Sequence, residues 1–402
     1  MIYMRDMTNG GSTYQVMKRP NRFGLVTAMA GALAACSVVP SAGPTSSEIE
    51  RSAGNGETDG YLVRDLDDSV VKLLAQKRPS TFSTSFGRRE AAPNQRIGVG
   101  DVVSVSIWEA AAGGLFSQSG SDKNSSGARS ANIPEQVVGR DGAITVPYAG
   151  RIRVVGLSSP QVETAITQRL AGKAIEPSVL VTVTRNLSNT ATVVGEVTNG
   201  ARVPLSAKGD RVLDVIAAAG GIRSPAHESF VKLQRHGRTI TMPMQVLISN
   251  ASENIFVHPD DVITVVRDPQ TFTAFGAASR NAVVPFDAAG ITLEQAVAKA
   301  GGLIDNRSDP YGVFLMRYED ASLVRQLAPQ WPLAAGETRV PVVYHVNLRD
   351  AKSYFLAQRF QVRNGDMLYV ANAPLNELQK VLMIFTLAAQ PVQTSNTLQA
   401  AF

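Results

Sequence analysis

The sequence predicts a multidomain α+β protein, and three observations carry that prediction. A stretch of about thirty residues occurs twice, apolar spacing changes from strand-like to helical within each copy, and polar, glycine- and serine-rich segments separate the folded parts. The first copy, Thr192 to Ile222, reads TVVGEVTNGARVPLSAKGDRVLDVIAAAGGI, and the second, Phe275 to Leu303, reads FGAASRNAVVPFDAAGITLEQAVAKAGGL. Gly195 aligns with Gly276, Pro204 with Pro285, Gly209 with Gly290, and Gly220-Gly221 with Gly301-Gly302, every pair 81 positions apart without a gap.

Each copy predicts a β-hairpin, a short glycine-containing connection and a helix closed by two glycines. Val212, Val215, Ile216 and Ala219 recur at helical spacing, as do Leu293, Ala296, Val297 and Ala300. The paired glycines, with Gly195 and Gly276, are expected to serve backbone geometry. A unit this small buries little by itself, so two in series predict stacked modules. Downstream of each copy an aspartate precedes an apolar run, Asp261 in FVHPDDVITV and Asp366 in FQVRNGDMLYV. These aspartates are expected to shape tight turns rather than to catalyse. Their interval of 105 rather than 81 assigns 24 extra residues to the second module.

Taken in order, residues 1–35 read as a signal peptide, with Met17 as an alternative start. Lys18, Arg19 and Arg22 precede an apolar stretch, Phe23 to Ala32, too short to span a membrane. Leu33-Ala34-Ala35-Cys36 has the form of a lipobox, and Cys36 is the only cysteine, so lipidation of Cys36 is expected. Ser37 in the next position is compatible with sorting to the outer membrane. Residues 36–60 form a Ser/Gly/Pro/Thr-rich tether. Residues 61–96 form an N-terminal extension, with a strand over Tyr61–Val63, a helix over Asp67–Gln76 burying Val70, Leu73 and Leu74, and an irregular stretch from Pro79 to Gln95.

Residues 97–185 predict a compact domain. It opens with IGVGDVVSVSIWE, whose alternation from Val99 to Ile107 marks a half-buried strand, followed by a Gly/Ser/Asn-rich loop, Ala110 to Asn132. An Arg140-Asp141-Gly142 turn joins two short strands, and Tyr148-Ala149-Gly150 starts a second hairpin. Ser158 caps a helix with Pro160 in its first turn and Val162, Ile166 and Leu170 inward, before a strand over Val179–Thr184.

The first repeat module occupies residues 187–267, with further strands over Phe230–Leu233 and Thr239–Met242. The second occupies 270–370, its added length expected within Glu319–Glu337 around Leu323, Leu327, Trp331 and Leu333. Trp331 is either a core residue or a surface anchor. Residues 372–395 break the pattern: Leu375 to Ala389 reads as one helix with Asn376, Gln379, Lys380, Thr386 and Gln390 on one side. That helix is either docked on the last module or a partner, or a short membrane-crossing helix whose polar side lines a pore.

Charge and chemistry exclude several classes. Of the net charge of +5, Arg5, Lys18, Arg19 and Arg22 against Asp6 supply +3, which leaves no basic surface for nucleic acid. The histidines 227, 236, 258 and 345 are scattered, with one cysteine in a processing site, so no metal set is expected. Asp67-Asp68 and Asp260-Asp261 are sequence neighbours whose side chains diverge. Neither is a convincing acid/base pair, and no nucleophile or phosphate-loop motif accompanies them. Neither an enzyme nor a cofactor is expected.

The ordered set of motifs resembles the bacterial outer-membrane polysaccharide export proteins, auxiliary lipoproteins of capsule and exopolysaccharide secretion. The matching residues are Leu33-Ala34-Ala35-Cys36, the run from Ile97, VGRDGAITVPYAGRIRVVGLS from Val138 and the two repeat units. Together they cover about residues 95–370, apart from the lipobox. The first unit is similar to the family's soluble-ligand-binding β-grasp modules. The second departs from it, with Ala278 and Asn281 where the first has Val197 and Gly200. VRNGDMLYVANAPLNELQKVLMIF is most similar to the branch serving ATP-driven capsule exporters.

The resemblance implies an export domain, two β-grasp-like modules and a C-terminal amphipathic membrane helix. It further implies a homo-oligomeric, octameric ring around a wide cavity, with an outer-membrane pore made of one helix from each subunit. An inner-membrane polysaccharide copolymerase or ABC capsule exporter is the implied partner and polysaccharide the implied substrate. The implied location is the outer membrane, lipid-anchored, with a large periplasmic part. A periplasm-facing scaffold or glycan-binding lipoprotein without a pore is the alternative.

Overall fold

The computed structural model describes residues 43–53, 60–76, 80–87, 92–109, 129–334 and 336–374. The predicted signal peptide, Cys36, most of the Ala110–Asn132 loop and the helix predicted over Leu375–Ala389 lie outside the described residues. So do Asn376, Gln379, Lys380, Thr386 and Gln390.

Four short elements come first: helix α1 (Ser46–Arg51), strand β1 (Leu62–Asp65), helix α2 (Asp68–Gln76) and helix α3 (Phe82–Phe86). The next domain contains β2 (Val102–Glu109), β3 (Arg129–Val137), β4 (Ala143–Val146), β5 (Gly150–Arg153), α4 (Ser159–Leu170) and β6 (Ser178–Arg185). Its sheet runs β3-β2-β6, all antiparallel, and Val103, Val105 and Ile107 point inward on the period of two. The β2 strand starts at Val102 rather than Val99 because Gly100, at φ 92°, turns the chain just before it. Helix α4 follows its sequence signals: the Gln161 side chain accepts from Ser158 N at 2.9 Å, and Val162, Ile166 and Leu170 are buried. The Arg140-Asp141-Gly142 turn does not close a hairpin. It carries the chain between sheets, from β3 to β4, and the hairpin is β4–β5 around Tyr148, at φ 63°.

The first module comprises β7 (Thr190–Gly195), β8 (Ala201–Pro204), α5 (Val212–Ala218), β9 (Ser229–Arg235), β10 (Arg238–Pro243), α6 (Met244–Ser249) and β11 (Val262–Arg267). Its sheet order is β10-β9-β11-β7-β8, with β11 parallel to β7 and the other pairs antiparallel. Val212, Val215, Ile216 and Ala219 of the α5 face enter its core with Leu233 and Ile263.

The second module repeats this order with β12 (Gln270–Gly276), β13 (Ala282–Phe286), β14 (Ile291–Thr292), α7 (Leu293–Lys299), β15 (Ser308–Asp320), α8 (Ala321–Leu327), β16 (Arg339–Val346), α9 (Ala351–Ala357), β17 (Gln361–Val362) and β18 (Met367–Asn372). Its sheet is β1-β16-β15-β18-β12-β13. His236-Gly237 alone joins β9 to β10, whereas α8 and the following loop separate β15 from β16, so the extra length falls within the expected interval. Leu323 and Leu327 are buried there, and Trp331 and Leu333 pack partly exposed against the core.

The N-terminal extension is shared between the modules. β1 lies parallel to β16, from Leu62↔Val342 to Asp65↔His345, and completes the second module's sheet. His345 Nε2 donates to the Tyr311 carbonyl at 2.6 Å, and its Nδ1 lies 2.7 Å from Asp65 Oδ1. Helix α2 buries Val70 and Val71, with Leu73 and Leu74 partly covered; the stretch 36–60, expected to be a tether throughout, contains the packed helix α1, which places Ile49 over Phe314, Val343 and Tyr369 on the sheet's other face. Phe82 of α3 is buried in the first module's core, where Glu253 accepts from Ser83 N and Oγ at 2.9 and 2.7 Å. The stretch expected to be irregular, Pro79 to Gln95, therefore contains a packed helix.

Candidate functional site

Each module is locked by the same buried clasp. Arg235, ending β9, donates from Nε to Asp261 Oδ1 at 3.0 Å and from Nη2 to Oδ2 at 2.8 Å. Arg317 of β15 donates from Nε to Asp366 Oδ1 at 2.8 Å and pairs through Nη2 with the other oxygen. Each guanidinium also satisfies one carbonyl, Phe256 O at 2.7 Å or Gln361 O at 2.9 Å. Planar bidentate pairing suits arginine better than lysine. Aromatic rings cover both cations, Phe86 at 5.2 Å from Arg235 and Phe360 at 5.3 Å from Arg317.

The aspartates bond backwards along the chain rather than two residues on. Asp261 accepts from His258 N at 2.8 Å and Asp366 from Arg363 N at 2.7 Å, in both cases the residue three positions earlier. Asp101 follows the same pattern with Gly98 N at 2.8 Å, but a different partner replaces the arginine. It accepts from Leu187 N and Ser188 N, each at 2.8 Å, and from Ser188 Oγ at 2.7 Å. Asp101 is fully buried, so it pins the first domain to the linker entering the first module.

The second clasp is larger. Glu319, buried beside it, accepts from Arg317 Nη1 at 3.3 Å, Arg363 Nη1 at 2.8 Å and Tyr344 Oη at 3.1 Å. Burial, and then the Glu319 charge, push the Tyr344 phenol far above its ordinary range. Burial alone would lower the Arg317 pKa, but the hydrogen bond and charge of Asp366 outweigh it and raise the value. Arg235 and Arg317 do not stand out in the sequence until the strands are aligned. The signal that marks them is Val-x-Leu-x-Arg, present at Val231–Arg235 and Val313–Arg317.

The repeat glycines share one backbone state. Gly195 and Gly276 have φ of 95° and 90°, and Gly220, Gly221, Gly301 and Gly302 lie between 76° and 84°. A Cβ on Gly195 would stand 2.0 Å from Val265 O, and on Gly276 2.1 Å from Val370 O. The parallel strand passes too close for any side chain there. Gly221 and Gly302 meet nothing within 4 Å, so only their φ restricts them.

Among the described residues no cluster of His, Cys, Asp and Glu can hold a metal ion, and no helix is long and apolar enough to cross a membrane. Pro44 and Ala373 are both held on the second module. Tyr369 Oη donates to Pro44 O at 2.7 Å, and Ala373 N donates to Arg307 O at 2.8 Å just beyond the same strand, β18.

Comparison with known proteins adds the following. The family described as "Polysaccharide biosynthesis/export protein" matches residues 89–184, and the SLBB domain matches twice, at residues 190–245 and 270–370. The chain is 35% identical over 378 residues to the capsule polysaccharide export protein BexD of Haemophilus influenzae, covering 92% of this chain and 96% of that one. It is 37% identical over 353 residues to the capsule polysaccharide export outer membrane protein CtrA of Neisseria meningitidis, covering 86% and 90%. The Vi polysaccharide export protein VexA/TviF of Salmonella typhi is 30% identical over 71% of this chain and 76% of its own.

Proposed function

Because the chain belongs to the bacterial outer-membrane polysaccharide export family, we propose that it is the outer-membrane channel subunit that passes capsular or extracellular polysaccharide from the periplasm to the cell surface. The observation that carries this reading is that Pro44, which follows Cys36 in sequence, and Ala373, which precedes Leu375, are both held on the second module, at β18 or just beyond it. Pro44 is held on β18 by Tyr369, and that strand ends at Asn372, two residues before Pro374. The seven residue-to-residue steps from Cys36 to Gly43 reach at most about 25 Å. A lipid on Cys36 and a helix from Leu375 would therefore enter the same membrane beside this module.

In this reading the subunits form an octameric ring. Each contributes one amphipathic helix, with Asn376, Gln379, Lys380, Thr386 and Gln390 toward water and the apolar side toward lipid. A lone spanning segment must satisfy its backbone internally, hence the helix. The periplasmic domains meet a polysaccharide copolymerase or ABC capsule exporter of the inner membrane. Gly195, Gly220, Gly221, Gly276, Gly301 and Gly302 set backbone geometry, and no step calls for a catalytic group, a metal or a cofactor.

Labelling tests the reading. A cysteine at Ser395 is expected to react with an impermeant reagent added to intact cells, and wild-type chain to incorporate fatty acid that C36S does not. Reaction only after the outer membrane is opened places the end in the periplasm, and the pore gives way to a periplasm-facing scaffold. L382D, on the lipid side, is expected to cost about 3 kcal/mol of membrane transfer and abolish assembly, whereas T386D assembles.

A further inference from the structure

The register of the two sheets lets the modules be compared position by position. On the outer face of the first, one row across the strands reads Arg202, Thr192, Val262 and Gln234. The corresponding row of the second reads Val283, Thr273, Met367 and Met316. The next row changes from Val194, Thr264 and Lys232 to Phe275, Tyr369 and Phe314. The backbone pairing is the same, yet Arg202, Gln234, Lys232 and Thr264 have given way to apolar or aromatic side chains, and of these rows only Thr192 keeps its residue, as Thr273.

Helix α1 accounts for part of the change, since Ile49 packs on Phe314 and Tyr369. It leaves the rest uncovered: Val283 is 61%, Phe275 46% and Met367 37% exposed. The same module has a second apolar surface. Between α7 and α9 a cavity of about 280 Å³ is lined by Leu293, Val297, Val313, Leu348 and Tyr354, and Phe355, the next residue of α9, is 68% exposed. Val313 and Phe314 are consecutive in β15, so the two surfaces lie on opposite faces of one sheet.

We propose that these surfaces are the two halves of one head-to-tail contact, in which the outer sheet face of one second module seats on the α7–α9 face of the next copy. An isologous dimer needs one self-complementary patch. Two different apolar patches on opposite flanks instead repeat from copy to copy, and a closing rotation makes a ring. A bilayer would wet one flank and leave the other exposed. The charge-poor centre, with aromatic and methionine side chains, fits the core of a protein interface. The proposal rests on the ring reading above and adds to it which faces meet.

The experiment uses full-length protein extracted in mild detergent and sized by mass photometry. Wild type is expected to give closed rings, and F275E and F355E each monomers. F275E keeps the helical face and F355E the sheet face, so a 1:1 mixture can form one contact only and is expected to give dimers and nothing larger. Circular dichroism and melting temperature check that each variant folds, and V283K replaces F275E if it does not. Wild-type rings together with rings from both variants overturn this proposal and leave the ring reading intact. A variant that dimerises alone also overturns it, as does loss of vesicle binding by F275E with its ring preserved, which makes lipid the occupant. Wild-type monomers in every extraction remove the ring reading itself.

Discussion

Asp261 and Arg235 are nearly sealed from water, so neither can be removed without stranding the other. R235M leaves a buried carboxylate uncompensated and is expected to cost about 3–5 kcal/mol of stability in urea unfolding at neutral pH. Adding D261L to R235M should recover much of that loss, because an apolar pair avoids the stranded charge; no recovery would show that the clasp is not a closed pair. The glycines offer a second residue-scale contrast. A left-handed backbone alone costs a substituted residue roughly 1–2 kcal/mol, which is the expectation for G221A and G302A. G195A and G276A must also push a strand carbonyl away, so their melting temperatures should fall further; equal losses at all four sites would remove the close-approach argument. Glycine spacing was legible in the sequence because identical backbone needs recur at one interval. The arginines were not, since a cation in or at the end of a strand reads as solvated until its partner across the sheet is known.

Among the elements, α2 shows both what local pattern specifies and where it stops. The helix was legible from its apolar spacing, as α4 was from Ser158, Pro160 and its inward residues. Its partner was not legible, because β1 is four residues long and pairs with a strand some 280 positions away, from Asp65 to His345. Phe82 was missed for a related reason, being a lone aromatic in a polar stretch. The α2 start also makes an acid-sensitive point. The Ser69 hydroxyl, then the Val70 amide, hold Asp67 below the usual carboxylate range, and Lys72, then Arg359, do the same for Asp68. Carboxyls lowered in the folded state stabilise it fully above their unfolded value, about 3.9, and that contribution is lost as pH falls through the folded value. Hydrogen exchange should therefore show the amides of β1 and α2 losing protection below about pH 4 before those of β9 and β11. Protection that falls evenly through both modules would refute a local acid effect.

At the scale of the whole molecule, the fold class and the repeat were legible, whereas the route of the chain was not. Residues 43–53 and 60–76 belong spatially with the last module, although two domains intervene in sequence. During synthesis this segment emerges well before its partner strand. Leu62, Val70 and Val71 must wait for Val342 before they can be buried, and long-range pairing of this kind is slow and aggregation-exposed. Closing β1 onto β16 is consequently a late event that only a chain extending through His345 can complete. A translation product stopped before Arg339 keeps β1 as an unclaimed strand, so the fold marks prematurely ended chains by a segment made long before they stopped.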